Sequence, residues 1–324
     1  MHTGVDCFGP MYVAQSTHTP AQKVYGVLFT CLVTRAIHVE LARNLSGNEF
    51  LLCLDRFSSL RRVPGFLISD NGTNFVFVQP LVGTRVKLTD AKVHYFSTNK
   101  IEWHFIPAFS PWYGGVYERM VGLFKLSVHK TLTAYGSNLV DYVTLHTVLY
   151  RAANIVNNRP LTFVPSDELY KPLTPNHFLK LGESNVDTSI ELDLARLPST
   201  TLNLIQGYQT VLGLVRTFQD IFHSQYFTYL KDRMARYHRH PWGSLPRQPA
   251  IGDVVLIADR AVPRATWPIG LVTSVDHRGG KAKVRSQETI STLNLPGGRH
   301  TQIVNKEYTC NRLFPLELAQ DQLF

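Results

Sequence analysis

Three carboxylates stand out by where they fall: Asp6 in "TGVDCFGP", Asp70 in "LISDNGTNF" and Glu118 in "YGGVYERMVGLFK". Asp70 follows "GFLI", a short apolar run of the buried-strand type, at the strand end where open α/β sheets place their ligands. The same stretch is also a turn, since Asn-Gly, Asp and Ser all favour one. Asp6 sits in a short strand broken by Gly9-Pro10, and Glu118 opens a helix behind a Gly-Gly loop. Each acid therefore has two readings. Asp70 is a turn former or a metal ligand, Asp6 a strand-edge acid or a ligand, and Glu118 a complement to the helix dipole or a ligand.

The elements that must position them follow from periodicity. "KVYGVLFTCLVT" is nearly continuously apolar and β-branched, as a strand covered on both faces should be. "RAIHVELA" alternates, with Ile37, Val39 and Leu41 on one face and His38 and Glu40 on the other, which predicts a half-exposed strand with His38 at the surface or sheet edge. Ser46 and Glu49 form a capping box ahead of a helix whose buried face is Phe50, Leu54 and Phe57. That explains Glu49 by capping and Asp55 by solvent exposure, and removes both as catalytic candidates.

"IEWHFIP" reads as a further strand, and a helix runs from about Val116 to Leu132. On that helix Val116, Met120, Leu123, Phe124, Ser127 and Thr131 form the apolar face. Glu118, Gly122, Lys125 and His129 gather opposite, with Glu118 and Lys125 about 20° apart and about 10 Å along the axis. Another helical pattern, from about Asn138, ends at "NNRP".

Beyond this α/β order, 1–180 reads as one domain and 181–207 as a polar linker. Residues 208–240 read as a helical connector, and 241–324 as a small β-rich domain of short runs such as "DVVLIA" and "IGLVTSV", the pattern of a small barrel.

The 324 residues carry a formal charge of +9, and two thirds of the excess lies in the last third: residues 216–324 hold 15 Lys+Arg against 9 Asp+Glu. A basic module of this kind invites a polyanion such as nucleic acid, or forms a solvated basic face. The four cysteines have no C-x-x-C spacing, and His238 and His240 lack further partners at ligand spacing, so no zinc is expected in this chain. No apolar run reaches membrane-spanning length and the first residues lack a signal-peptide pattern, which predicts an intracellular protein without a membrane partner.

In order, "DCFGP", "SDNGTNF" and "YGGVYERMVGLFK" resemble the D, D, E segments of the integrase core of LTR retrotransposons, most closely the BEL/Pao type. The resemblance continues through "NNRPLTFV" and "PLTPNHFL" to "IGDVVLIADRAVPRATWPIGLVTSV" and "EYTCNRLFPLEL", and so covers almost the whole chain. It implies an RNase H-like fold: a mixed five-stranded sheet with the strands of Asp6 and Asp70 side by side and Glu118 on a facing helix. A small C-terminal β-barrel-like domain would follow.

The function it implies is DNA-end processing and strand transfer at a two-metal site. Asp6, Asp70 and Glu118 would be catalytic and would hold two Mg²⁺ or Mn²⁺ ions. Asn71 and Asn74 would brace the loop, Thr73 would approach target DNA, and Lys125 and Arg119 would contact DNA, Lys125 over the phosphates of the element's DNA end. Lys125 could equally be an ordinary solvated lysine.

The 47 residues between Asp70 and Glu118 exceed the 35 of the compact pattern, so about 77–98 should be a loop or an extended helix. The partners implied are element ends and target DNA, with a homo-oligomer on DNA and action in the nucleus. The alternative is an integrase-derived DNA-binding remnant without catalysis.

Overall fold

The computed structural model describes residues 1–14, 21–83, 101–106, 115–136, 140–165, 170–179, 202–236, 249–258, 267–276, 280–291 and 299–316. The chain divides into two units, Met1–Asn158 with Asn176–Ile221, and Arg159–Pro175 with Phe222–Phe324.

The first unit is a mixed α/β structure. Its strands are β1 (His2–Val13), β2 (Gln22–Cys31), β3 (Ile37–Ala42), β4 (Phe66–Ser69) and β5 (Glu102–Phe105). They form one sheet in the order β3-β2-β1-β4-β5. β1, β2 and β3 pair antiparallel, and β4 joins β1 and β5 in parallel. The helices are α1 (Gly47–Arg61), α2 (Thr73–Gly83), α3 (Gly115–Tyr135) and α4 (Tyr142–Asn157), with a short α5 (Pro175–Leu179). A long α6 (Leu202–Arg236) contributes its residues up to Ile221 to this unit.

The parity of the strands assigns the two faces of the sheet. Val5, Val27, Phe29 and Leu67 join Phe50, Leu54 and Phe57 of α1 and Phe75 of α2 in one core, where the Phe29 and Phe57 rings stack at 4.2 Å. Residues of the other parity in β1 turn toward α3, where Phe8 meets Phe124 edge-on at 5.9 Å. The predicted helix after Ser46 is present, and Ser46 accepts from the Glu49 amide at 3.3 Å. The return half of the box is rewired: Glu49 accepts from the Arg43 amide at 2.9 Å, and the Ser46 amide donates to Asn44.

Three local expectations change. Gly9-Pro10 does not break β1: the strand continues to Val13, and the register shifts between Phe8 and Met11 while Gly9 takes φ +127°. "TNF" is not the far side of a turn but the first turn of α2, since the Gly72 carbonyl accepts from the amides of Phe75 and Val76.

β3, predicted to be half-exposed, is buried along its whole length. α1 and α4 pack on it, so the face carrying His38 and Glu40 is covered. Glu40 is 0% exposed and accepts from Arg56 Nε at 2.6 Å and the Tyr150 hydroxyl at 2.8 Å, with His38 Nε2 at 2.9 Å. β3 is an end strand, and side chains of α4 meet its outward backbone. The buried Asn157 amide donates to the Ile37 carbonyl and accepts from the Ile37 amide, both at 2.8 Å, and the Tyr142 hydroxyl donates to the Leu41 carbonyl at 2.8 Å.

Gly26 of β2 lies opposite Phe8 across the ladder, and a Cβ there would fall 2.1 Å from the Phe8 ring. Gly26→Ala is therefore expected to lower stability by about 1–3 kcal/mol through overpacking, read as an earlier midpoint in urea denaturation.

In the second unit β6 (Thr162–Pro165) and β7 (Tyr170–Leu173) form a two-stranded ribbon. β8 (Val254–Ile257), β9 (Ile269–Asp276), β10 (Lys281–Ser291), β11 (Arg299–Thr309) and β12 (Leu313–Pro315) form an antiparallel sheet in the order β11-β10-β9-β8-β12. Among the described residues no ladder joins β11 to β12, and the expected barrel-like domain is represented by this five-stranded antiparallel sheet. Val255, Ile257, Val272, Val284 and Leu313 form its core, and Phe227 of α6 stacks on Trp267 at 4.6 Å. The expected linker 181–207 lies outside the described residues as far as 201, and α6 begins at Leu202. Among the described residues no helix is long and apolar enough to cross a membrane.

Candidate active site

The parallel ladder sets the geometry. His2, Thr3 and Gly4 of β1 pair with Phe66, Leu67 and Ile68 of β4, a constant offset of 64, so the same register carries Asp6 level with Asp70. Parity puts both on the face opposite the Leu67 core, the face on which α3 packs against β1 and β2.

Asp70 stands just past the end of β4, and its loop is pinned from several sides. Asp70 Oδ1 accepts from the Gly72 amide at 3.0 Å. The Ser69 hydroxyl donates to the Asp70 carbonyl at 2.8 Å while accepting from Trp103 Nε1 at 3.0 Å. Asn71 Nδ2 donates to the Ile106 carbonyl at 2.9 Å, just beyond β5, and Asn74 Nδ2 reaches Cys7 Sγ at 3.6 Å.

Oδ1 closes the turn, and Oδ2 has no partner among the described residues. Gly72 suits this loop because a Cβ there would lie 2.8 Å from Asn74 Oδ1 and 3.1 Å from Asp70 Oδ1. Thr73 is the exposed first residue of α2.

Asp6 is half-buried and carries an ion pair: Lys125 Nζ donates to Asp6 Oδ2 at 2.6 Å and to the Cys7 carbonyl at 2.9 Å, the two side chains being 28% and 27% exposed. The helical wheel set Lys125 away from the packed face. The observed buried face is Met120, Val121, Phe124, Ser127, Val128 and Thr131, rotated toward Val121 and Val128. Lys125, four residues after one and three before the other, therefore rides its margin, and its aliphatic stem carries the ammonium to β1.

Glu118 falls in the first turn of the same helix and Arg119 follows it, and their side chains lie outside the described residues. Among the described residues no group of three His, Cys, Asp or Glu side chains is placed to hold a metal ion. The structure thus brings Asp6, Asp70, Asn74 and Lys125 around Cys7, and places Glu118 by its backbone alone.

Cys7 is the hub of this group. Burial, and to a lesser degree the Asp6 and Asp70 carboxylates, push its thiol up to about 12, against the Asn74 and Lys125 contacts that pull it down. It is thus a packed, protonated thiol beside both acids. Beside the Asp6–Lys125 pair a cleft of about 610 Å³ opens between β1 and α3, with Phe8, Tyr12, His129 and Tyr135 among its walls.

In the second unit, Lys281, Lys283 and Arg285 are exposed on β10 and alternate with buried Ala282, Val284 and Ser286. This makes a cationic row, of which Lys281 pairs with Glu307 at 3.3 Å.

No family model matches the chain, and no curated protein matches it. Among solved structures, it is similar to the HTLV-2 integrase catalytic core domain in complex with magnesium, in its trimeric form. The identity is 16% and the TM-score 0.32, over 50% of this chain and 88% of that one.

Proposed function

We propose that this chain is an integrase of the LTR-retrotransposon kind, close to the BEL/Pao type, which processes DNA ends and joins them to target DNA. The observation that supports the reading is the parallel ladder of β1 and β4 in a five-stranded mixed sheet, which brings Asp6 of β1 and Asp70, just past the end of β4, to neighbouring strands, with α3, the helix of Glu118, packed against β1 and β2. The motif resemblance names those same three acids. An RNase H-like core accounts for both.

The donor set fits a hard divalent cation such as Mg²⁺ or Mn²⁺, because carboxylate oxygens are the ligands such ions take. Asp6 already receives a cation, the Lys125 ammonium, at 2.6 Å. Asp6, Asp70 and Glu118 would hold two such ions, whose contribution when bound is to activate the attacking oxygen and stabilise the departing one.

The remaining roles belong to the chain's own groups. Gly72 holds the Asp70 carboxylate in place, Asn71 and Asn74 fix its loop to β5 and β1, and Thr73 meets target DNA. Lys125 and Arg119 meet the phosphates of the DNA end. The basic row of the C-terminal module binds the DNA backbone without reading sequence. Assembly as a homo-oligomer on DNA and action in the nucleus complete the proposal.

The Asp6–Lys125 pair favours a second reading, a DNA-binding remnant without catalysis, because it neutralises one of the acids. A strand-transfer assay with end-bearing oligonucleotides separates the two. Mn²⁺-dependent joined product, lost at least about 100-fold in Asp70→Asn, supports the enzyme. DNA binding without product at any Mn²⁺ concentration supports the remnant.

A further inference from the structure

The Lys125 ammonium sits where a cation bound to Asp6 Oδ2 would need to be. Two bonds hold it there, at 2.6 Å to Asp6 Oδ2 and 2.9 Å to the Cys7 carbonyl. A divalent cation on the same Asp6 oxygen would lie at contact distance from the ammonium and be repelled by it.

The side chain is also free to leave. It is 28% exposed, its stem lies at the margin of the packed face rather than in it, and the adjoining cleft of about 610 Å³ offers room to swing. The pair is partly buried, and a DNA phosphate offers the ammonium an anionic oxygen in exchange for the Asp6 carboxylate.

From this we propose that Lys125 is a counter-ion gate. In the free protein it occupies Asp6 and suppresses divalent-cation binding, and on arrival of DNA it transfers to a phosphate and releases Asp6. DNA and metal then bind with positive coupling through one side chain, and by linkage each raises the affinity for the other by the same factor. The gate rests on the proposed metal site, and it adds to that site a reason for the chain to stay unloaded until DNA is present. Lys125 acts here as a positioning residue, through Asp6.

The test is calorimetric titration of Mn²⁺ into the full chain, with and without a duplex carrying 3′-dideoxy ends that cannot react. Wild type should bind Mn²⁺ weakly alone and at least about tenfold more tightly with DNA. Lys125→Met, which keeps the stem and removes the charge, should bind Mn²⁺ without DNA about tenfold more tightly than wild type and gain less from DNA. Lys125→Arg should restore weak DNA-free binding.

If Asp6→Asn removes Mn²⁺ binding but Lys125→Met leaves the DNA-free affinity at the wild-type value, the gate is overturned and the metal site stands. If Asp6→Asn leaves Mn²⁺ binding unchanged, the metal site itself is wrong and the gate falls with it. Should Lys125→Met lose its thermal transition, Lys125→Gln replaces it with the same expectation.

Discussion

Glu40→Ala is expected to lower the melting temperature by about 6–20 °C, the largest stability effect predicted for any single side chain here. The residue is 0% exposed, and removal of one partner from a buried ionic cluster costs about 3–5 kcal/mol because the others are left uncompensated. A change of about 1 kcal/mol moves the melting point by roughly 2–4 °C in a protein of this size class.

Burial alone would raise the Glu40 carboxyl, but the bonds from His38, Arg56 and Tyr150 outweigh it and hold the group at about 2, below its ordinary 4.5. A depressed carboxyl stabilises the fold when ionised. Its contribution, about 3 kcal/mol for a shift of this size, is complete above pH 4.5 and is lost as pH falls toward 2. Scanning calorimetry at pH 7 and at pH 3 should therefore show the gap between wild type and Glu40→Ala narrowing in acid. A gap independent of pH would mean that the cluster stabilises by packing alone.

The second large effect is on chemistry. Under the proposed function Asp6→Asn should reduce strand transfer by about 1,000-fold, since loss of a ligand withdraws several kcal/mol of charge stabilisation from the transition state. The fold should lose far less. The Asp6–Lys125 pair is partly buried, and a hydrogen bond to a charged group contributes about 1.5–3 kcal/mol. The measurement is product formed per hour beside a melting curve of the same sample. A variant that loses activity only in proportion to lost folded protein would remove Asp6 from the site.

Much of the first unit was legible because its signals are local. "KVYGVLFTC" is apolar on both faces and became a central strand, and Ser46 stands at the start of α1 and caps it as the spacing says. The neighbouring placement of Asp6 and Asp70 came from motif resemblance, and the ladder bears out the adjacency of their strands.

What failed depended on contacts distant in sequence. Alternation cannot distinguish a polar residue facing water from one facing Arg56 and Tyr150, so Glu40 and His38 were placed outside. Asn-Gly announces a turn but is silent on the helix that Gly72 starts. A wheel drawn for α3 ranks residues by polarity alone, and so it put Lys125 opposite the sheet, whereas a long aliphatic stem lets a charged residue live at the seam. Cys7 carried no signal at all, because its role comes from what surrounds it.

The Asn157 side chain gives the sheet a property that strand order alone does not convey. An end strand normally presents a row of peptide groups on which another chain can template itself, the route to strand addition and aggregation. Here the carboxamide imitates a neighbouring peptide unit, matching both the N–H and the C=O of Ile37, and the Tyr142 phenol takes the Leu41 carbonyl. α4 thereby terminates the lattice of backbone bonds with its own side chains. A chain that added to this side would find the peptide groups of Ile37 and the carbonyl of Leu41 already paired.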